Sequence, residues 1–425
     1  MSALNATPAA EDLDAAATVP DTISPGRRIW LRFKRNRLGF WSLVIFLSLY
    51  AVSLAGELVS NDRPLVVRYE GQWYFPVLKD YPEAVFGGDL PIKADFSDPF
   101  IKEQITKDNN WALYPLNPYY YDTLNYFSDT AHYPGPPSKE NWLGTDIAGY
   151  DIAARLLYGF RVSVTFALAL TAAGIVLGLL IGAVQGYFAG KVDLVGQRLI
   201  EVWHSMPELY LLIIFASVFE HSFILLFVLL SLFAWISTSD YVRAEVLRNR
   251  QLDYIKAAQA MGLSHWQIIK RHILPNSLTP VITFLPFRMS AGITALAALD
   301  FLGLGVTAPA PSLGHLLNQG KANLDAWWIS LATFTMFLVT LLLLTFTGDA
   351  LRAAMDPRVS HEDEKAPQPQ LEPQAPTQEQ TQAAVASVQP VASPPQVLVG
   401  AVVRGAAANV TTPNLSALRQ REATP

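Results

Sequence analysis

The sequence predicts an all-α polytopic membrane protein of six transmembrane helices, with a small mixed extracytoplasmic insert after the first. Three observations predict it. Of 425 residues, 51% are apolar with aromatics counted and only 16% are charged. Mean hydropathy is +0.24 although the tails and the insert are polar, so other segments must be strongly apolar. Six such runs stand out, each near the roughly 20 residues that cross about 30 Å of hydrocarbon. Basic residues flank them asymmetrically, as a threaded chain requires.

Residues 1–25 are rich in Ala, Asp, Thr and Pro without helical periodicity and read as a disordered tail. Residues 26–60 carry "RRIWLRFKRNR", six basic residues directly before the first span at Leu38–Gly56. That cluster places the N-terminus in the cytoplasm and marks an uncleaved anchor rather than a signal peptide. The insert, residues 61–155, is aromatic and Pro-rich, with about twice as many Asp and Glu as Lys and Arg. Alternation at Leu65–Tyr69 and Gln72–Phe75 predicts short strands, packed by Trp and Tyr against the membrane core.

Residues 156–358 hold the other five spans, at Val162–Tyr187, Leu199–Phe219, Phe223–Thr238, Pro280–Leu304 and Trp327–Gly348. Glu220 and His221 in "FEHS" mark the turn between the third and fourth. Six crossings return the C-terminus to the cytoplasm. Residues 359–425 are rich in Gln, Pro, Ala and Glu and read as a disordered cytoplasmic tail. There is no cysteine, so no disulfide or thiolate chemistry. The net charge of −5 averages opposite regions and gives no sign of nucleic-acid binding.

The polar stretch 253–275, "DYIKAAQAMGLSHWQIIKRHILP", lies between two apolar regions. Asp253 can cap a first helix, Ala257 and Ala258 favour it and leave one face free of bulk, and Gly262 offers a left-handed stop. "SHWQ" at Ser264–Gln267 is a capping box for a second helix, which Pro275 should end. Tyr254, Met261, Leu263 and Trp266 supply apolar side chains of the kind that dominate interfaces.

At these residues the chain resembles the ABC importer permeases, type-1 in fold. Ala257, Ala258, Gly262, Leu274 and Pro275 fit their "EAA...G.........I.LP" loop, with Lys256 in place of Glu and His272 in place of Ile. "RHILPN" has the form seen in dipeptide and oligopeptide permeases. "NWLGTDIAGYDIAARLLYGFRVSV", Asn141–Val164, is similar to their entry segment, with Tyr150 where Arg is usual, and "LDFLGLGVTAPAPSLGHLL" to the stretch after their fifth span. The insert narrows the likeness to the YejE-type branch, linked to microcin C and peptide uptake. The resemblance implies an ATP-driven importer worked by alternating access. Its loop, with Asp253, Ala257, Ala258, Gly262, Leu274 and Pro275, would couple to a cytoplasmic ABC ATPase. It further implies a second homologous permease subunit, a periplasmic solute-binding protein, surrounding membrane lipid and an inner-membrane location.

No "GxxxxGK[ST]" occurs, "FAGKVD" at Phe188–Asp193 being the nearest approach, so ATP hydrolysis must belong to another subunit. No cofactor and no metal site are expected. Arg288, inside an apolar run, and Glu208, on a face shared with Glu201 and His204, are the candidate pathway residues. Asp300 reads as a paired or interfacial carboxylate. A secondary transporter would have no need of the capped loop. An intramembrane protease built on His204, Ser205, Glu208 or Asp300 would lack a paired catalytic set on facing helices.

Overall fold

Five helices in the computed structural model are long and apolar enough to cross a membrane. The structure describes residues 24–89, 91–107, 109–124, 132–219, 222–307 and 309–356. The turn expected at Glu220 and His221, and the tails before residue 24 and after residue 356, lie outside the described residues.

A basic helix α1, Pro25–Arg35, precedes the first crossing helix α2, Arg37–Leu54. Asn36 separates them and caps α2, its side chain accepting from the Gly39 N–H. A single turn, α3 (Gly56–Val59), leads into the insert. There β1 (Val66–Tyr69) pairs antiparallel with both β2 (Gln72–Tyr74) and β3 (Trp111–Leu113), close to the strands expected. Helix α4, Pro99–Thr106, closes the insert core with Ile101 and Ile105. That core centres on Phe86, whose ring lies 5.3–5.6 Å from those of Phe96, Tyr74 and Tyr69. Trp73 and Trp111 instead meet each other on the exposed sheet face, so the expectation that tryptophans pack the insert is corrected. Tyr120 and Tyr121 do seat it, on the Tyr158 ring of the next helix.

That helix, α5 (Ile152–Phe188), is the axis of the molecule. Phe160, Val164 and Ala167 on it pack with Phe46 of α2, and with residues of α12 (Leu274–Phe301) and α14 (Trp327–Met355). Between α12 and α14, α13 (Leu313–Ala322) joins Ile152 and Leu156 of α5 in a smaller cluster. Along another face, Gly174, Gly178, Gly182 and Gly186 recur every fourth residue. A Cβ at these positions would come within 2.5–2.9 Å of the backbone oxygens of Ala234, Trp235, Ser239 and Arg243. Those oxygens belong to α8 (Phe223–Ala234), α9 (Ile236–Asn249) and the bend between them. Only hydrogen fits, so the backbones touch along the seam.

The third expected span is broken. Helix α6, Gly190–His204, stops at Ser205, and α7, Glu208–Val218, begins after Pro207. Pro207 has no N–H to donate and disfavours helical geometry at Met206, which interrupts a run that reads as continuous by hydropathy. The fifth span also differs: helix runs from His265 to Phe301 rather than beginning at Pro280.

Candidate functional site

Helix α10, Asp253–Ala260, and α11, His265–Ile268, form the polar loop. Leu252, not Asp253, takes the capping position, and the exposed Asp253 carboxylate stands one residue inside, 3.5 Å from Lys256 Nζ. It still faces the positive end of α10. At the other end Gly262 adopts φ +80°, and the Leu263 N–H reaches back to Ala258 O at 3.2 Å while Gly262 donates to Gln259 O at 3.0 Å. This double bond pattern is a Schellman stop, which demands glycine for its dihedral angle alone, since open space surrounds the missing Cβ. The capping box is present as read: Ser264 N–H donates to Gln267 Oε1 at 3.0 Å, and Gln267 N–H to Ser264 Oγ at 3.4 Å.

Pro275 does not stop the second helix. A widened π turn, Ile269–Ile273, carries it into α12, with Pro275 in the first turn where no N–H is needed. The loop is therefore continuous with α12, at the position of the fifth expected span.

The two alanines face opposite ways. Ala258 is buried with Ile255, Ile268, Ile269 and Ile273 against Ala183 and Tyr187 of α5 and Val242 and Val246 of α9. Leu263 and Leu274 pack at the edge of this cluster. Ala257 and Pro275 are exposed, together with Tyr254 (42%), Met261 (73%) and Trp266 (62%). Tyr187 Oη lies 2.8 Å from His265 Nδ1, a polar tie within the apolar junction.

A cavity of about 650 Å³ opens beside the α6–α7 break. It gathers Arg288 and Glu208, the two candidate pathway residues, with Glu201, His204, Ser237 and Asp240. The break separates Glu208 from Glu201 and His204, so these three share the cavity without sharing one helix. Glu201 pairs with Arg198 at 2.5 Å. Arg288 donates to Ala234 O at 3.0 Å and Ser237 Oγ at 2.7 Å. Ala234 ends α8, so the guanidinium satisfies a carbonyl that the helix leaves without a partner. Sequence reading missed Ser237 and Asp240, which only folding brings beside Arg288.

Two further motif segments hold the frame. Asp146 and Arg155 form a buried pair at 2.9 Å, 0% and 1% exposed, and Gln319 of α13 also reaches Asp146 at 3.4 Å. Nearby, Asp151 caps α5 and accepts from Asn117 and Asn141 of the insert at 2.8 and 2.9 Å. Burial pushes the Asp151 carboxyl up, against the lowering effect of those bonds. Asp300 accepts from Ser312 Oγ at 2.5 Å and the Val306 N–H at 3.0 Å, fixing the turn before α13.

A bundle of crossing helices with a stiff helical loop and a charged cavity defines a membrane transport component. Residues 151–361 match the model of the binding-protein-dependent transport system inner membrane component, and residues 24–72 that of the N-terminal transmembrane domain of oligopeptide transport permease C. The chain is 50% identical to the inner membrane ABC transporter permease protein YejE of Escherichia coli, over 77% of this chain and 96% of that one. It is 42% identical to the peptidoglycan transport system permease protein YejE of Agrobacterium fabrum, over 78% and 93%. Among solved structures, a chain of the inward-facing MetNI methionine ABC transporter gives a TM-score of 0.40 at 19% identity, covering 48% of this chain and 97% of that one. The chain belongs to the binding-protein-dependent transport system inner membrane component family, in its peptide ABC permease group. It is a multi-pass inner-membrane transport component and carries no ATPase site of its own.

Proposed function

We propose that this subunit imports peptides or peptide-like compounds, microcin C type molecules among them, by ATP-driven alternating access. The loop of α10 and α11, with Asp253, Ala257, Ala258, Gly262, Leu274 and Pro275, docks on a cytoplasmic ABC ATPase. A second homologous permease subunit completes the pathway, of which the cavity with Arg288 and Glu208 is this chain's share. A periplasmic solute-binding protein delivers cargo to the insert side, and lipid surrounds the bundle. Both termini are cytoplasmic: the broken α6–α7 segment counts as a crossing, and the basic α1 sits on the positive side. The Agrobacterium fabrum relative is named for peptidoglycan transport, which favours peptidoglycan material as a further cargo.

One observation carries this reading. Tyr254, Met261 and Trp266 stand exposed on a loop whose opposite face is locked to α5 and α9. Apolar side chains on a stiff mount suit a docking surface that must transmit force. Ala257→Asp alters only the exposed face, so peptide uptake and copurification of the ATPase should both fall at least roughly tenfold while membrane insertion stays normal. Full uptake by that variant overturns the coupling assignment.

A further inference from the structure

We propose that Arg288 receives the terminal carboxylate of a peptide inside the cavity, with Glu208 and Asp240 facing its ammonium end. This deepens the peptide-permease reading and rests on it. Every arginine of α5, and Arg243 of α9, has a carboxylate partner: Arg155 with Asp146, Arg161 with Glu57, Arg243 with Asp193. Arg288 has none among the described residues. Its hydrogen-bond partners, Ala234 O and Ser237 Oγ, are both neutral, although a guanidinium remains charged under all ordinary conditions.

Glu208 and Asp240 line the same cavity and form no ion pair among the described residues. Both acids are open to the cavity, with His204 also on its wall, and charges kept at such positions among apolar helices mark ligand or ion paths. The cation comes from α12 and the acids from α7 and α9. A ligand that neutralises both must itself carry separated charges of both signs. A short peptide zwitterion does so, and about 650 Å³ lies within the roughly 300–1,000 Å³ of small-ligand sites. Its carboxylate can take guanidinium N–H groups that Ala234 and Ser237 leave free.

The test uses cells carrying the complete transporter with wild-type, Arg288→Gln or Arg288→Lys subunits. Uptake of labelled trialanine is compared with that of trialanine C-terminal amide. The binding protein is the same in each strain, so a changed ratio belongs to this chain. Arg288→Gln should cut trialanine uptake by about tenfold or more, the scale of a lost hydrogen bond to a charged group, and leave the amide within about twofold. Arg288→Lys should keep most of the preference.

Equal losses for both peptides overturn the proposal, and make Arg288 a cap for α8 or a partner for lipid phosphate. No loss for either overturns it as well. Should wild-type cells not carry the amide, thermal unfolding of the purified transporter without binding protein decides. Millimolar trialanine should stabilise wild type more than the amide does, and Arg288→Gln should abolish the difference; no difference in wild type overturns the proposal. Glu208→Gln, tested with N-acetyl-trialanine, should lose the preference for a free amine, and a retained preference overturns the ammonium half. If deleting the subunit leaves peptide import intact, the permease reading fails. If import depends on the subunit but the Arg288→Gln ratio is unchanged, only this inference fails.

Discussion

The two ends of α5 are held by opposite chemistries. At its first turns, Arg155 is buried against Asp146, and Asp151 gathers Asn117 and Asn141 of the insert. At its last turns, Ala183 and Tyr187 sink into aliphatic side chains of α9 and the loop, with hydrogen bonds between Tyr187 and each of His265, Gln259 and Arg250 at the margin. Charged and amide groups have few acceptable geometries, so the first end fixes one arrangement of insert, α5 and α13. Aliphatic packing is non-directional but close-packed, so the second end holds the loop stiffly without fixing it through any one polar geometry. The first end holds the insert in register, and the second is the end that the proposed coupling role would have driven.

The largest expected effect is at the polar end. Arg155→Ala leaves the Asp146 carboxylate buried without its cation, which should cost roughly 3–5 kcal/mol and sharply lower the yield of folded protein in detergent. A variant as heat-stable as wild type would show that the pair does not hold this end. At the apolar end, Ile268→Ala removes a fully buried side chain, at roughly 2–4 kcal/mol. Proteolysis should then open the loop while the insert stays protected; equal cleavage of both would dissolve the distinction. Smallest is Tyr187→Phe, which deletes the bond to His265 and a long one from Gln259 and keeps the ring, for about 0.5–1.5 kcal/mol. Thermal unfolding of the purified protein measures it, and a loss as large as that of Arg155→Ala would make the second end polar in character too.

What the sequence revealed follows the range of the forces involved. The capping box at Ser264 and the stop at Gly262 involve neighbours within a few residues, so they were legible. The capping position was misplaced by one because Asp253 is a good cap residue while the chain turns at Leu252. Pro275 reads as a stop, but a proline in the first turn of α12 is compatible with continuing helix. Pro207 was visible inside an apolar run, yet hydropathy averages over a backbone break. The cavity joins residues of α5, α6, α7, α8, α9 and α12, so its composition awaited the fold; Arg288 and Glu208 stood out only as charges in apolar surroundings. Likewise the glycine period of α5 is plain in the sequence, but the oxygens it faces are not.

That glycine seam sets how the molecule handles force. It runs from Gly174, beside the Ala234 carbonyl that Arg288 holds, to Gly186, beside Val246 in the cluster under the loop. Twelve residues of helix span ~18 Å. Over that distance α5 meets α8 and α9 through main chain and the stiff, β-branched Thr238, Val242 and Val246, which leave little rotamer freedom to absorb displacement. The pair behaves as a single strut, short in compliance and fixed in length. If the loop docks on an ATPase as proposed, a push on it at one end would reach the cavity wall at the other with little of its travel lost.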